Sequence, residues 1–482
     1  MNDVRLASAA PDEAGAGLWR RPLRAALHGR PLPLVWTPEG LVPAASLWSG
    51  ARQWVAWMRA AGLVPGDRLV CALPPGATFV MVLVASLWEE LTFVPVPATA
   101  DRAAIARELA PRVVVAQRQG SDAVCPDAAG APPTGAVLAP ADAPPTPDAR
   151  LLLRTSGTGG TPRWIALSDA NVWAVLESHR PQLRLDGAVV LSVLPWHHAF
   201  GLVLELLPSL LAGAELLRDP SGGRDAASML AVATSHPVTH LHAVPRTIAL
   251  LAEHASGRAL LASLAGGVVG GAAVDAALVR ALSGTRLRVG YGQTEAAPGI
   301  ALGESGEWRP GHLGRPVGCE LRRDADGVLA FRGANAHLGE WRDGALVRRV
   351  PADGWVRTGD LARIAADGSY TFEGRLADAF KLANGRFVAA AAIEQAVRAR
   401  FPSVREALLS SPDGDSLVLA LTAPAGDVPS ADAVAPLLGP LAARPLRVVP
   451  VPAGAWERTP KGELDRRFPT GRPSGASDPP AP

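Results

Sequence analysis

The chain has little cysteine, no long apolar run and no concentration of positive charge. Its 482 residues include three cysteines, Cys71, Cys125 and Cys319. They stand too far apart for a paired metal motif or a disulfide framework, so they fit a reducing cytoplasm as plain core residues. The longest apolar run, "FVMVLVASLW" from Phe79 to Trp88, is about half as long as a bilayer crossing requires. The opening "MNDVRLASAAPDEAGAG" lacks the apolar block of a secretion signal. No membrane insertion is expected. Lys and Arg number 47 against 45 Asp and Glu, a net charge of +2. They are scattered, and the missing basic stripe argues against nucleic acid as a partner. No internal repeat is visible either.

What the chain does have is apolar substance and α/β punctuation. Hydrophobic residues make up 48% and charged residues 19%, the balance of a globular protein with a large core. The length calls for two or more compact units. "GDRLVCALPPGATFVMVLVASLWEELTFVPVPA" reads as strand, helix, strand, the βαβ grammar of a parallel sheet covered by helices. From Gln119 to Ala149, Pro, Asp and Gly accumulate, and a solvent-exposed connection is expected there. Then "AVVLSVLPW" predicts a strand, "RDAASMLAVATSH" a helix, "VTHLHAVP" a strand and "TIALLAEHA" a helix. "LASLAGGVVGGAAV" and "LRVGYGQTE" each run a strand into a tight glycine turn. Beyond Asp324 the elements shorten and become strand-rich. After Gly374, "FVAAAAIEQAVRARF" predicts a helix, and "VREALLSS" with "SLVLALTAP" a strand pair. The tail from Gly471 is too rich in Pro and Ser to pack. The expected division is residues 1–374, a mobile unit at 375–470, and a disordered tail at 471–482.

Four short stretches carry chemistry. "LLLRTSGTGGTPRWIAL" surrounds a Ser/Thr/Gly loop with strands. It is not a Walker loop, because no Gly-Lys-Ser/Thr follows at the required spacing. Thr155, Ser156, Thr158 and Thr161 offer hydroxyls, and Gly157, Gly159 and Gly160 let backbone N–H groups approach an anion. A polar turn between two strands accounts for the same residues. "YGQTE", Tyr291 to Glu295, follows a strand, so it falls at the edge where parallel sheets bind ligands. A turn with an exposed glutamate is the alternative. "DGWVRTGDLARI" places Asp360 where a carboxylate can accept two hydrogen bonds from a diol or cap its own turn. "LPWHHAFGL" sets His197 and His198 at another strand end beside Trp196 and Phe200. That arrangement suits an aromatic pocket wall, and no further ligand falls at zinc spacing.

Taken in this order, "TSGTGGTPR", "LPWHHAFG", "VVGGAAV", "YGQTE", "WVRTGD", "GRLADAFKLANGRFV" and "RTPKGELDRR" resemble the adenylate-forming superfamily. That superfamily contains acyl-CoA synthetases, luciferases, peptide-synthetase adenylation domains and stand-alone amide synthetases. The resemblance runs from about Gly62 to Arg467. It implies an α/β fold: a large N-terminal domain of stacked α/β subdomains with a small β-barrel-like part, and a small mobile α+β C-terminal domain. It implies a loop closing over the β- and γ-phosphates of ATP, mapped onto Thr155, Ser156, Gly157, Thr158, Gly159, Gly160 and Thr161. Gly159 replaces a usual Thr, and Arg163 a usual Lys. Gly270, Gly271 and Ala272 would border adenine, with Tyr291 stacked on it and Gly292 and Thr294 beside it. Glu295 with Thr158 would bind Mg²⁺. Asp360 would hold the ribose, with Arg375 nearby. His198 would gate the acyl pocket.

The implied chemistry is attack by a carboxylate on the α-phosphorus of ATP, with loss of pyrophosphate, then capture of the acyl-AMP by an amine or a thiol. The C-terminal part departs most from the pattern. Ala377 stands at the hinge. In "RTPKGELDRR" the position of the usual catalytic lysine carries Glu463, whose charge repels both reactants by about 1 kcal/mol at 4 Å in water. Lys461 lies two residues earlier and points the same way in an extended segment, a shift of roughly 7 Å. Lys461 is taken as the substitute, because the other ATP motifs are retained. A surface lysine in a degenerate, non-catalytic relative is the alternative. An amine acceptor, with His197 or His198 orienting or deprotonating it, is preferred over CoA. The acid is expected to be aromatic or apolar, and the protein a monomer or homodimer in the cytoplasm.

Overall fold

The stretch Arg68–Pro95 folds as its alternation requires. Strand Arg68–Ala72 leads through helix Ala77–Trp88 to strand Thr92–Pro95, and the two strands pair in parallel with Leu69 opposite Phe93. Helix Ala77–Trp88 is buried along nearly its whole length, which explains why its apolar run is continuous rather than striped. This computed structural model describes residues 17–28, 34–37, 40–116, 136–138, 144–155, 163–348, 350–376, 379–383 and 387–456.

The described residues fall into two compact units, one within 1–321 and 331–356, the other within 322–330 and 357–482. The first unit contains an eight-stranded sheet that includes Thr92–Pro95, Leu151–Thr155 and Arg163–Leu167. Leu151, Leu153, Ile165 and Leu167 join its main core with Phe93 and Cys71. Ala136–Leu138 also belongs to this sheet, antiparallel to Val113–Ala116. It lies inside the stretch expected to be a bare connection. Three residues among prolines give too short an apolar pattern to read as a strand. A second, five-stranded sheet holds His240–His242, Val189–Ser192 and Glu215–Arg218 side by side in parallel. In a third, Val268–Gly270 runs parallel to Arg288–Gly292, which turns back on Gly299–Leu302.

Helix Asp169–Leu183 begins with a reciprocal cap. The Ser168 hydroxyl accepts from the Asn171 backbone N–H, and the Asn171 side chain accepts from the Ser168 N–H. Its buried stripe reads Val172, Val175, Leu176, His179 and Leu183. The helices and strands predicted from "RDAASMLAVATSH", "VTHLHAVP" and "TIALLAEHA" stand at Ala226–Ser235, His240–His242 and Pro245–Ala252.

The second unit has its own core of Val397, Leu409, Leu419 and Leu421. Strands Glu406–Ser410 and Leu417–Thr422 pair antiparallel, and helix Ala390–Arg400 packs on them. "FVA" ahead of that helix, expected as part of it, is instead strand Phe387–Ala389, paired with Ala379–Lys381. Its Phe and Val favour a strand. Among the described residues no helix is long and apolar enough to cross a membrane.

Candidate functional site

A cavity of about 360 Å³ opens in the first unit. Seven of the residues singled out from sequence line it: His198, Phe200, Gly270, Gly271, Tyr291, Gly292 and Thr294. They arrive from different elements. Gly270 ends strand Val268–Gly270, and Tyr291 and Gly292 end strand Arg288–Gly292, so the cavity sits at the carboxyl ends of parallel strands. Glycine is required at several points. A Cβ at Gly270 would lie 2.7 Å from the Gly290 carbonyl oxygen, and one at Gly292 would lie 1.7 Å from that of Pro298. Gly271 has φ +85°, in the left-handed region. Ala272, beside it, is exposed and does not line the cavity.

His197 and His198 follow a turn in which the His198 N–H donates to the Pro195 carbonyl at 3.1 Å. The chain then enters a π-helical segment, Phe200–Leu206, a rare geometry frequent at functional sites. The His197 and His198 rings lie 4.4 Å apart. Burial, with His198 and Arg218 adding repulsion, pushes the His197 pKa down to about 4. The surrounding protein lowers that of His198 as well, although its ring faces the cavity. His197 is therefore neutral and a weak base at pH 7. It remains available as a neutral hydrogen-bonding group.

Beneath this turn lies a polar network that the sequence reading did not single out. Glu205, on the π-helical segment, is completely buried. Its Oε1 accepts from the Ser192 hydroxyl at 2.6 Å and from Trp196 Nε1–H at 3.2 Å. Arg218 donates to the Leu194 carbonyl at 2.7 Å and to Ser192. Burial pushes the Glu205 carboxyl up to about 7, against the pull of Ser192 and Arg218. The network ties strand ends 192 and 218 to the segment carrying both histidines. A glutamate inside "FGLVLELLPSLL" was its only sequence signal.

The Ser/Thr/Gly loop connects two antiparallel strands, with Thr155 opposite Arg163 at its base. Ser156, Gly157, Thr158, Gly159, Gly160 and Thr161 lie outside the described residues. The Thr155 hydroxyl is buried with no partner among the described residues. Arg163 reaches across to the next motif, donating to Glu295 and to Glu340, each at 2.7 Å. The foot of the loop and the end of "YGQTE" are thereby joined. The His337 N–H donates to the Glu295 carbonyl at 2.9 Å, which fixes the same residue from its backbone.

Asp360 and Arg375 belong to the second unit. They face each other across an antiparallel pair and form an ion pair of 2.8 Å, with Asp360 nearly wholly buried. Ala377, Lys461 and Glu463 lie outside the described residues.

The sequence matches the family described as AMP-binding enzyme over residues 44–327. A feruloyl-CoA synthase from Amycolatopsis sp is 29% identical over 350 residues, covering 67% of this chain and 71% of that protein. Two solved structures share the fold. ATP-bound MatB from Rhodopseudomonas palustris superposes with a TM-score of 0.72 at 20% identity, over 92% of this chain and 96% of that one. Amide bond synthetase McbA from Marinactinospora thermotolerans gives 0.70 at 22% identity, over 92% and 98%.

Proposed function

This chain belongs to the AMP-binding enzyme family, a group of adenylate-forming ligases, and from that premise we propose that it activates a carboxylic acid as an acyl-adenylate. A carboxylate oxygen bonds to the α-phosphorus of ATP, the bond to the β-phosphoryl oxygen breaks, and pyrophosphate leaves. The observation that carries the reading is one cavity holding residues of two nucleotide motifs, "VVGGAAV" and "YGQTE", and the His198 gate.

The two reactants are both anionic, so placement and positive charge must come from the protein. Arg163 supplies a cation at the foot of the phosphate loop. Gly271, Tyr291 and Thr294 form the nucleotide side of the cavity, and Asp360 takes the ribose hydroxyls. Lys461 supplies the second cation. Glu295 and the Thr158 hydroxyl are the hard oxygen donors that would hold Mg²⁺, which neutralises phosphate charge when bound. Among the described residues no three His, Cys, Asp or Glu cluster as a metal cage. Mg²⁺ needs none where substrate phosphates and water complete its shell.

An amine is the proposed acceptor, oriented by neutral His197 or His198, and the product is an amide. The feruloyl-CoA synthase relative favours a second reading, transfer to the thiol of CoA. Its name also supports an aromatic acid. Free Cys71 and Cys319 suit a cytoplasmic setting. The test is acid-dependent pyrophosphate release, followed by mass spectrometry of products with amines or CoA added. An amide or a thioester decides the acceptor.

A further inference from the structure

His179 is a polar side chain in the cavity wall that the proposed reaction leaves unused. Five side chains in that wall carry polar atoms: His179, His198, Tyr291, Gln293 and Thr294. The last four are half-buried or exposed, whereas His179 is 1% exposed. It occupies an apolar position on the stripe of helix Asp169–Leu183.

Its protonation follows from its neighbour. Ser178 has one hydroxyl hydrogen, and it goes to the Ala174 carbonyl at 2.7 Å. The Ser178 oxygen, 2.9 Å from His179 Nδ1, is then an acceptor, so Nδ1 carries the ring proton. Nε2 is left as a bare acceptor. It has no hydrogen-bond partner among the described residues, and burial pushes the ring's pKa down to about 4, which excludes a second proton at pH 7. Gly299 lies against this edge: a Cβ there would come within 2.4 Å of Nε2 and Cε1. Buried acceptors are seldom left unmet. His242 also lacks partners among the described residues, but it does not line this cavity.

We propose that His179 is a specificity-determining residue whose Nε2 accepts a hydrogen bond from a hydroxyl carried by the carboxylic acid. The substrate class is therefore hydroxylated acids. This rests on reading the cavity as the acid site. An acceptor discriminates by the hydrogen, not by size or oxygen: a methoxy group presents the oxygen without the donor, and the deoxy acid presents neither.

The experiment measures pyrophosphate release by the full chain with matched triplets of aromatic acids, hydroxy, methoxy and deoxy at each ring position. The expected result is one position at which kcat/KM for the hydroxy acid exceeds both others by tenfold or more. In His179→Leu that ratio falls to near one while turnover of the deoxy acid persists. The ratio is internal to one protein, so wild type alone decides if the variant does not fold. Release with all three at equal efficiency at every position overturns the assignment of His179 and leaves acid activation standing. Release with no acid overturns the proposed function, and this inference with it.

Discussion

The Arg163 guanidinium lies 2.7 Å from the Glu295 carboxylate, so the phosphate loop and the expected metal-binding glutamate share one ion pair. The same guanidinium holds Glu340 at 2.7 Å. Arg163→Ala is expected to lower kcat/KM for ATP by about ten- to a hundredfold, since a partly buried charge pair is broken and its carboxylates repel. Arg163→Lys keeps the charge but not the two-armed fork, so it falls between. Pyrophosphate release at varied ATP checks this. Equal activity in Arg163→Ala would show that the pair is structural only.

Lys461→Ala should abolish acyl-adenylate formation while leaving ATP binding within a few-fold, because its proposed work is on the transition state. Isothermal titration with ATP and single-turnover detection of acyl-AMP separate the two. Full acyl-AMP formation by the variant would remove Lys461 from the reaction.

Stability should depend on pH through Glu205. Its folded pKa is raised from 4.5 to about 7, so the folded state holds the proton longer than the unfolded chain. The favourable state is present below pH 4.5 and is lost as pH rises through 7. The loss is on the order of 3 kcal/mol. Glu205→Gln lacks this titration, so its stability relative to wild type should rise between pH 5 and pH 8. Urea unfolding at both values measures it, and a constant difference would contradict the raised pKa.

His242 gives the opposite slope. Both of its ring nitrogens are buried without partners among the described residues, and burial lowers its pKa to about 3. The unfolded chain takes up that proton first, so wild type loses stability as pH falls below about 6.5. His242→Leu removes two unmet polar atoms and should stabilise by about 1–3 kcal/mol, with the advantage widening toward pH 4. Urea midpoints across that range are the check.

The strand and helix order was legible because alternation and glycine turns are local signals. The "YGQTE" and "VVGGAAV" stretches were placed correctly at strand ends for the same reason. What sequence could not supply was pairing at a distance. The contacts of Arg163 with Glu295 and Glu340 span 132 and 177 residues, and no local pattern announces them. Nor can periodicity tell a histidine on an apolar stripe from a core residue. His179 becomes meaningful only once Ser178 fixes its tautomer and Gly299 its surroundings. That burial holds His197 well below the usual histidine range was not legible either, because local sequence carries no measure of burial.

The most direct measurement is pyrophosphate release by the wild-type chain with ATP and Mg²⁺ across a panel of aromatic and aliphatic carboxylic acids. Release that depends on the acid, strongest with hydroxylated aromatic acids and accompanied by acyl-AMP in the mass spectrum, is predicted. ATP binding with no pyrophosphate released for any acid would contradict acid activation and leave a nucleotide-binding protein without catalysis.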